Sequence, residues 1–76
     1  MNAELFKKDL TETIRVIIFG LKSKGTFAMS ADNLWQLTVG KIKSQYGPVG
    51  TNAAWMVRQV FNDIIAEHPF KKFILS

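Results

Sequence analysis

Residues 3–23 read AELFKKDLTETIRVIIFGLKS, and the spacing of their apolar side chains decides the fold. Phe6, Leu10, Ile14, Ile17, Ile18 and Leu21 stand at i, i+4, i+8, i+11, i+12 and i+15. That pattern keeps them on one stripe of a helix with about 3.6 residues per turn, whereas a strand would divide them between two faces. Gly25 follows, preceded by Lys22 and Lys24. Glycine accepts a left-handed cap and cations suit the negative end of the helix dipole, so the helix is expected to stop there. A second, smaller apolar set, Leu5, Val16 and Phe19, lies on the opposite side. A helix apolar on both sides is either central to its core or paired with another chain. With only two further helices to surround it, the expectation is a homodimer through Leu5, Val16 and Phe19.

Downstream, Thr26-Phe27-Ala28-Met29 reads as an extended connector or a brief strand, and Ser30 as the N-cap of a second helix ending near Tyr46. Leu34, Trp35, Thr38, Val39, Ile42 and Tyr46 share one face of it. Gly40 weakens that helix by roughly 1 kcal/mol relative to alanine, unless its missing side chain allows close packing. Gly47-Pro48-Val49-Gly50 forms the next break. Thr51 is the expected cap of a third helix running to about Glu67, with Ala53, Val57, Val60, Phe61, Ile64 and Ile65 on its buried face and Pro69 preventing continuation. The tail, residues 70–75, is expected to pair with residues 26–29 as a short two-stranded ribbon. The chain therefore reads as one domain, 1–76: mostly α, a compact three-helix domain of helix-turn-helix type. Leu10, Ile14, Ile17, Trp35, Ile42, Val57, Phe61 and Ile64 are its expected core.

Composition narrows the function classes. A chain of 76 residues hides only about 60% of its unfolded surface, so its core is thin. It has no cysteine and one histidine, which leaves no disulfide framework and too few soft ligands for structural zinc. The 47% hydrophobic content argues against disorder. No apolar run approaches a membrane span, and the opening Met1-Asn2-Ala3-Glu4 is not that of a signal peptide, so the expected location is cytoplasmic with no membrane partner. A net charge of +4 and a pI near 9.7 are compatible with an anionic partner or with simple solubility.

The order helix, short strand, helix, four-residue turn, helix, strand resembles the winged-helix variety of helix-turn-helix DNA-binding domains along the whole chain. The resemblance implies a third helix in the major groove of duplex DNA and a wing hairpin on the phosphates. Here residues 70–75 supply at most its first strand, carrying Lys71 and Lys72. The face of the third helix opposite its apolar stripe holds Thr51, Trp55, Arg58, Gln59 and Asn62. Arginine, glutamine and asparagine can make bidentate bonds to base edges. Arg58 with Lys41 and Lys43 would then take phosphates, while Gln59 and Asn62 face bases. At about 100° per residue Trp55 points away from the core. The leading expectation is thus a small DNA-binding, regulatory protein that uses its third helix; the alternative is an interaction module or small inhibitor, because an outward tryptophan equally suits an anchor for a larger protein, or a site covered by the tail.

Other chemistries are poorly served. Gly47-Pro48-Val49-Gly50-Thr51 could offer amides to a DNA phosphate, but it lacks the lysine and spacing of a nucleotide loop and reads first as a tight turn. Asp63, Glu67 and His68 lie within about a turn of one another, yet two carboxylates and one imidazole do not complete a typical metal shell. No nucleophile, base and acid set is evident. The expectation is a non-enzyme, with no cofactor, no metal and no small-molecule substrate.

Overall fold

The computed structural model describes residues 3–47 and 50–75, and at residues 3 and 51–53 it describes the backbone alone. Its elements are α1 (Ala3–Ser23), β1 (Met29–Ser30), α2 (Ala31–Tyr46), α3 (Thr51–Ile65), a short 3-10 helix (Phe70–Phe73) and β2 (Ile74–Leu75). The mostly helical, three-helix fold is the one the apolar spacing predicts.

The local signals act as their chemistry requires at two helix ends. Beyond α1 the amide of Thr26 bonds the Leu21 carbonyl at 2.9 Å and that of Gly25 bonds Lys22 at 3.0 Å. This crossed pair is a Schellman cap, and it needs the positive φ of 94° that Gly25 adopts. At the start of α2, the Ser30 hydroxyl accepts from the Asn33 amide at 3.2 Å, satisfying one donor that the helix leaves orphaned. α3 differs. Its cap position falls on Gly50, with no side-chain bond, so Thr51 is the first helical residue rather than the cap. Its last turn closes at Ile65, two residues before the expected end at Glu67.

α1 packs on both α2 and α3, and α2 on α3, so the long apolar stripe of α1 is covered from two sides. Leu10, Ile14 and Ile18 meet Leu34 and Ile42 of α2 and Phe61, Ile64 and Ile65 of α3 in one cluster. Trp35 places its ring edge against Phe61, centroids 5.2 Å apart at 62°, an arrangement aromatic quadrupoles favour. Ile17, Trp35 and Val57 are only half-buried at the margin of this cluster. Ala53 lies outside the residues whose side chains are described. Thr38 is fully buried, and its hydroxyl donates to the Leu34 carbonyl at 2.8 Å, so the one buried polar side chain among the described residues is satisfied.

Four expectations are corrected. Tyr46 is exposed rather than buried; it has the right helix face but stands on the last residue of α2. Gly40 is exposed and a Cβ there would meet nothing within 4 Å, so its absence serves no close packing. The ribbon is shorter than 26–29 with 70–75: Met29 pairs Ile74 and Ser30 pairs Leu75, in parallel. Residues 70–73 form the 3-10 turn instead, and this turn buries Phe70 and Phe73 in the core. Lys71 and Lys72 therefore stand on the 3-10 turn and not on the first strand of a wing, and no hairpin follows α3 among the described residues.

Candidate interaction surface

The outer face of α3 follows from its inner one. With Phe61, Ile64 and Ile65 buried, Trp55, Gln59, Asn62 and Ala66 succeed one another at i, i+4, i+7 and i+11 on the solvent side. All four are exposed, and Trp55 is 67% so. Met56, on the neighbouring row, is 63% exposed. The tail does not cover Trp55.

Arg58 is not on this free face. Its Nη2 donates to Asp32 Oδ1 at 2.9 Å, its Nε to Asn62 Oδ1 at 3.0 Å, and its guanidinium carbon lies 5.3 Å from the Trp35 ring centroid and 5.6 Å from that of Phe61. Arginine's planar fork suits this combination of stacking and directed bonding. The side chain thereby clips the middle of α3 to the first turn of α2. Since Arg58 is the sole cation between Thr51 and Ile65, the exposed surface of α3 carries aromatic, thioether and amide groups and one charge, the carboxylate of Asp63.

The remaining basic candidates are exposed but dispersed. Lys41 and Lys43 are two positions apart on α2, hence separated by about 160° around its axis, and flank the buried Leu34, Thr38 and Ile42 on opposite sides. Lys71 and Lys72 ride on the 3-10 turn. Among the described residues none of these four lysines makes an ion pair. Thr51 opens α3, but its side chain is outside the described set, as are Pro48 and Val49 of the glycine-bounded turn. Among the described residues, ion pairs join Lys7 to Glu67, Arg15 to Glu12 and Arg58 to Asp32. Glu67 is thus bound to the first helix, and with Asp63 and His68 it stands exposed. Among the described residues no cluster of three or more histidines, cysteines or carboxylates could hold a metal ion, and no helix is long and apolar enough to cross a membrane.

On α1 the second apolar set is at the surface: Leu5, Val16 and Phe19 are all exposed, Phe19 by 74%. The sequence alone did not mark Asp32 or Met56. Asp32 lies 26 residues from Arg58, so no spacing rule links them. Nor did it mark a cleft of about 330 Å³ where α3 meets the tail, lined by Asn62, Ile65, Ala66, Lys71, Ile74 and Leu75. That cleft depends on the 3-10 turn folding the chain back along α3. No protein-family model, curated protein or solved structure matches the chain.

Proposed function

We propose that this domain is a protein-interaction module that docks on a larger protein through the outer face of α3, with Trp55 as its anchor. The observation that carries this reading is the exposure of Trp55 and Met56 on a helix whose sole cation is held by Asp32 and Asn62. Exposed tryptophans are the side chains most enriched among those that dominate binding energy, and thioethers adapt to irregular partners. Duplex affinity, by contrast, is largely phosphate neutralisation by cations, of which this helix has none to spare.

A second reading, duplex DNA, is favoured by exposed lysines that make no ion pair among the described residues, Lys41, Lys43, Lys71 and Lys72 among them. Lys41 and Lys43 lie on α2, and of the two lysines on the 3-10 turn it is Lys71 that adjoins α3, beside Asn62, so the four would anchor a backbone without together presenting Gln59 and Asn62 to bases. Self-association through Phe19, Val16 and Leu5 is compatible with either reading, since that surface lies on a different helix.

The readings separate by experiment. A photo-crosslinking amino acid placed at Gln59 should give one reproducible protein adduct in the source cells, absent when Trp55→Ala is added, because an anchor of this kind contributes about 2 kcal/mol or more. In parallel, generic duplex DNA is titrated over a salt series. Absence of adducts at position 59, together with duplex affinity that falls with salt at a log–log slope of roughly −3 to −5, as three to five neutralised phosphates require, would replace the protein reading with the DNA one.

A further inference from the structure

The cleft between α3 and the tail has a polarity that its surroundings dictate. Its floor is apolar, built from Ile65, Ala66, Ile74 and Leu75, and its polar members are Asn62 and Lys71. The Asn62 amide is oriented by Arg58, whose Nε donates to Oδ1 at 3.0 Å. An amide has one carbonyl oxygen with two lone pairs and one NH2 group, so with one lone pair engaged by Arg58 both N–H bonds of the NH2 group stay open to a ligand. The Lys71 side chain offers only donors and has no acidic partner among the described residues. Two donors beside an apolar floor call for an anion joined to an aliphatic group.

We infer that this cleft binds the C-terminal residue of a partner polypeptide, taking an aliphatic side chain on Ile65, Ala66, Ile74 and Leu75 and the terminal carboxylate on the Asn62 amide and the Lys71 ammonium. The inference deepens the interaction reading and rests on it. A chain terminus fits better than an internal aspartate or glutamate for a geometric reason. In an extended segment neighbouring side chains point to opposite faces, and same-face neighbours are nearly 7 Å apart at about 3.3 Å per residue. An internal acid and its aliphatic neighbour therefore do not enter one small cleft together. A terminal residue carries both groups on a single Cα. The volume, about 330 Å³, is at the small end of ligand sites.

The cleft is also continuous with the Trp55 face. Asn62 and Ala66 belong to the same row as Trp55 and Gln59, and the rise from Trp55 to Ala66 is about 16 Å at 1.5 Å per residue. An extended segment covers that length with about five residues at 3.3 Å each. A partner tail whose last residue sits in the cleft thus reaches Trp55 with its fifth or sixth residue from the end.

The test uses pentapeptide pools randomised at the first four positions and ending in leucine, made both as free acids and as C-terminal amides. Retention on the immobilised full chain is the readout. The free-acid pool should be retained about tenfold or more over the amide pool, since hydrogen bonds to a charged group are worth roughly a factor of ten to a hundred. Lys71→Ala and Asn62→Asp should each remove most of that difference. Asn62→Asp is informative because it keeps an oxygen for Arg58 while replacing the donor by a repelling carboxylate, and urea denaturation should show both variants as stable as the parent. Equal retention of acid and amide pools, or retention unaffected by either variant, overturns the proposal. So does an amidated pool with glutamate at the fourth position that is retained as well as the free acid, because the carboxylate would then be internal. If the pools fail while the adduct at position 59 persists, the cleft is refuted and the Trp55 surface stands. Loss of both refutes the interaction reading itself.

Discussion

Arg58→Ala separates a clamp from a phosphate contact. The pair with Asp32 adds little, because Asp32 is 86% exposed and surface ion pairs are worth about 0–1 kcal/mol. The guanidinium over the Trp35 and Phe61 rings contributes about 0.5–1 kcal/mol at a partly exposed site. Truncation also strips methylenes from a side chain only 30% exposed, at about 0.8 kcal/mol for each one fully buried. Together these give a loss of about 2 kcal/mol. A domain of this length is expected to have roughly 4–11 kcal/mol in total, so the variant should fold, with a thermal midpoint lower by about 8–16 °C. Asp32→Ala alone should cost no more than about 1 kcal/mol, and Arg58→Lys, which keeps charge but loses the planar stack and the Asn62 bond, about 1 kcal/mol. Urea denaturation followed by tryptophan fluorescence measures each, and the double variant gives the coupling. If Arg58→Ala changes stability by less than about 0.5 kcal/mol, the scale of an ordinary surface change, while flattening the duplex salt slope by about one unit, Arg58 is a phosphate ligand. The α3 surface then has a cation for phosphate, and Trp55 is not a protein anchor on a cation-free face.

Two further outcomes follow from the fold. Gly40→Ala should raise stability by up to about 1 kcal/mol in urea denaturation, since the position is helical and exposed with nothing within 4 Å of the added methyl; a loss would mean that something unseen packs there. Val16→Glu combined with Phe19→Glu should leave a folded monomer by sedimentation if α1 is the dimer face, and a wild type already monomeric at high concentration would leave these exposed groups for another purpose.

What the sequence disclosed and what it withheld divide along the range of the forces involved. α1, its Schellman cap at Gly25 and the Ser30 cap of α2 depend on residues within one or two turns, so periodicity and capping chemistry were enough to place them. The role of Arg58 was not legible in the same way. On a helical wheel it reads as an outward polar residue fit for a base or a phosphate, and only the docking of α2 brings Asp32, with the Trp35 ring, to its guanidinium. Asn62, a candidate base reader on the same wheel, likewise finds an intramolecular partner, its Oδ1 accepting from Arg58 Nε.

The tail shows a different failure. The strand expected over residues 70–75 includes Phe70-Lys71-Lys72-Phe73, yet the phenylalanines are three positions apart, and in a strand that spacing sends them to opposite faces. In a 3-10 turn residues i and i+3 lie one above the other, so both rings can enter the core, as they do. A chain with so thin a core gains more from burying two phenylalanines than from lengthening a two-residue ribbon. The turn that buries them is also what carries Lys71 to the edge of α3. The candidate cleft is therefore a by-product of core formation, which explains why no motif in the sequence announces it.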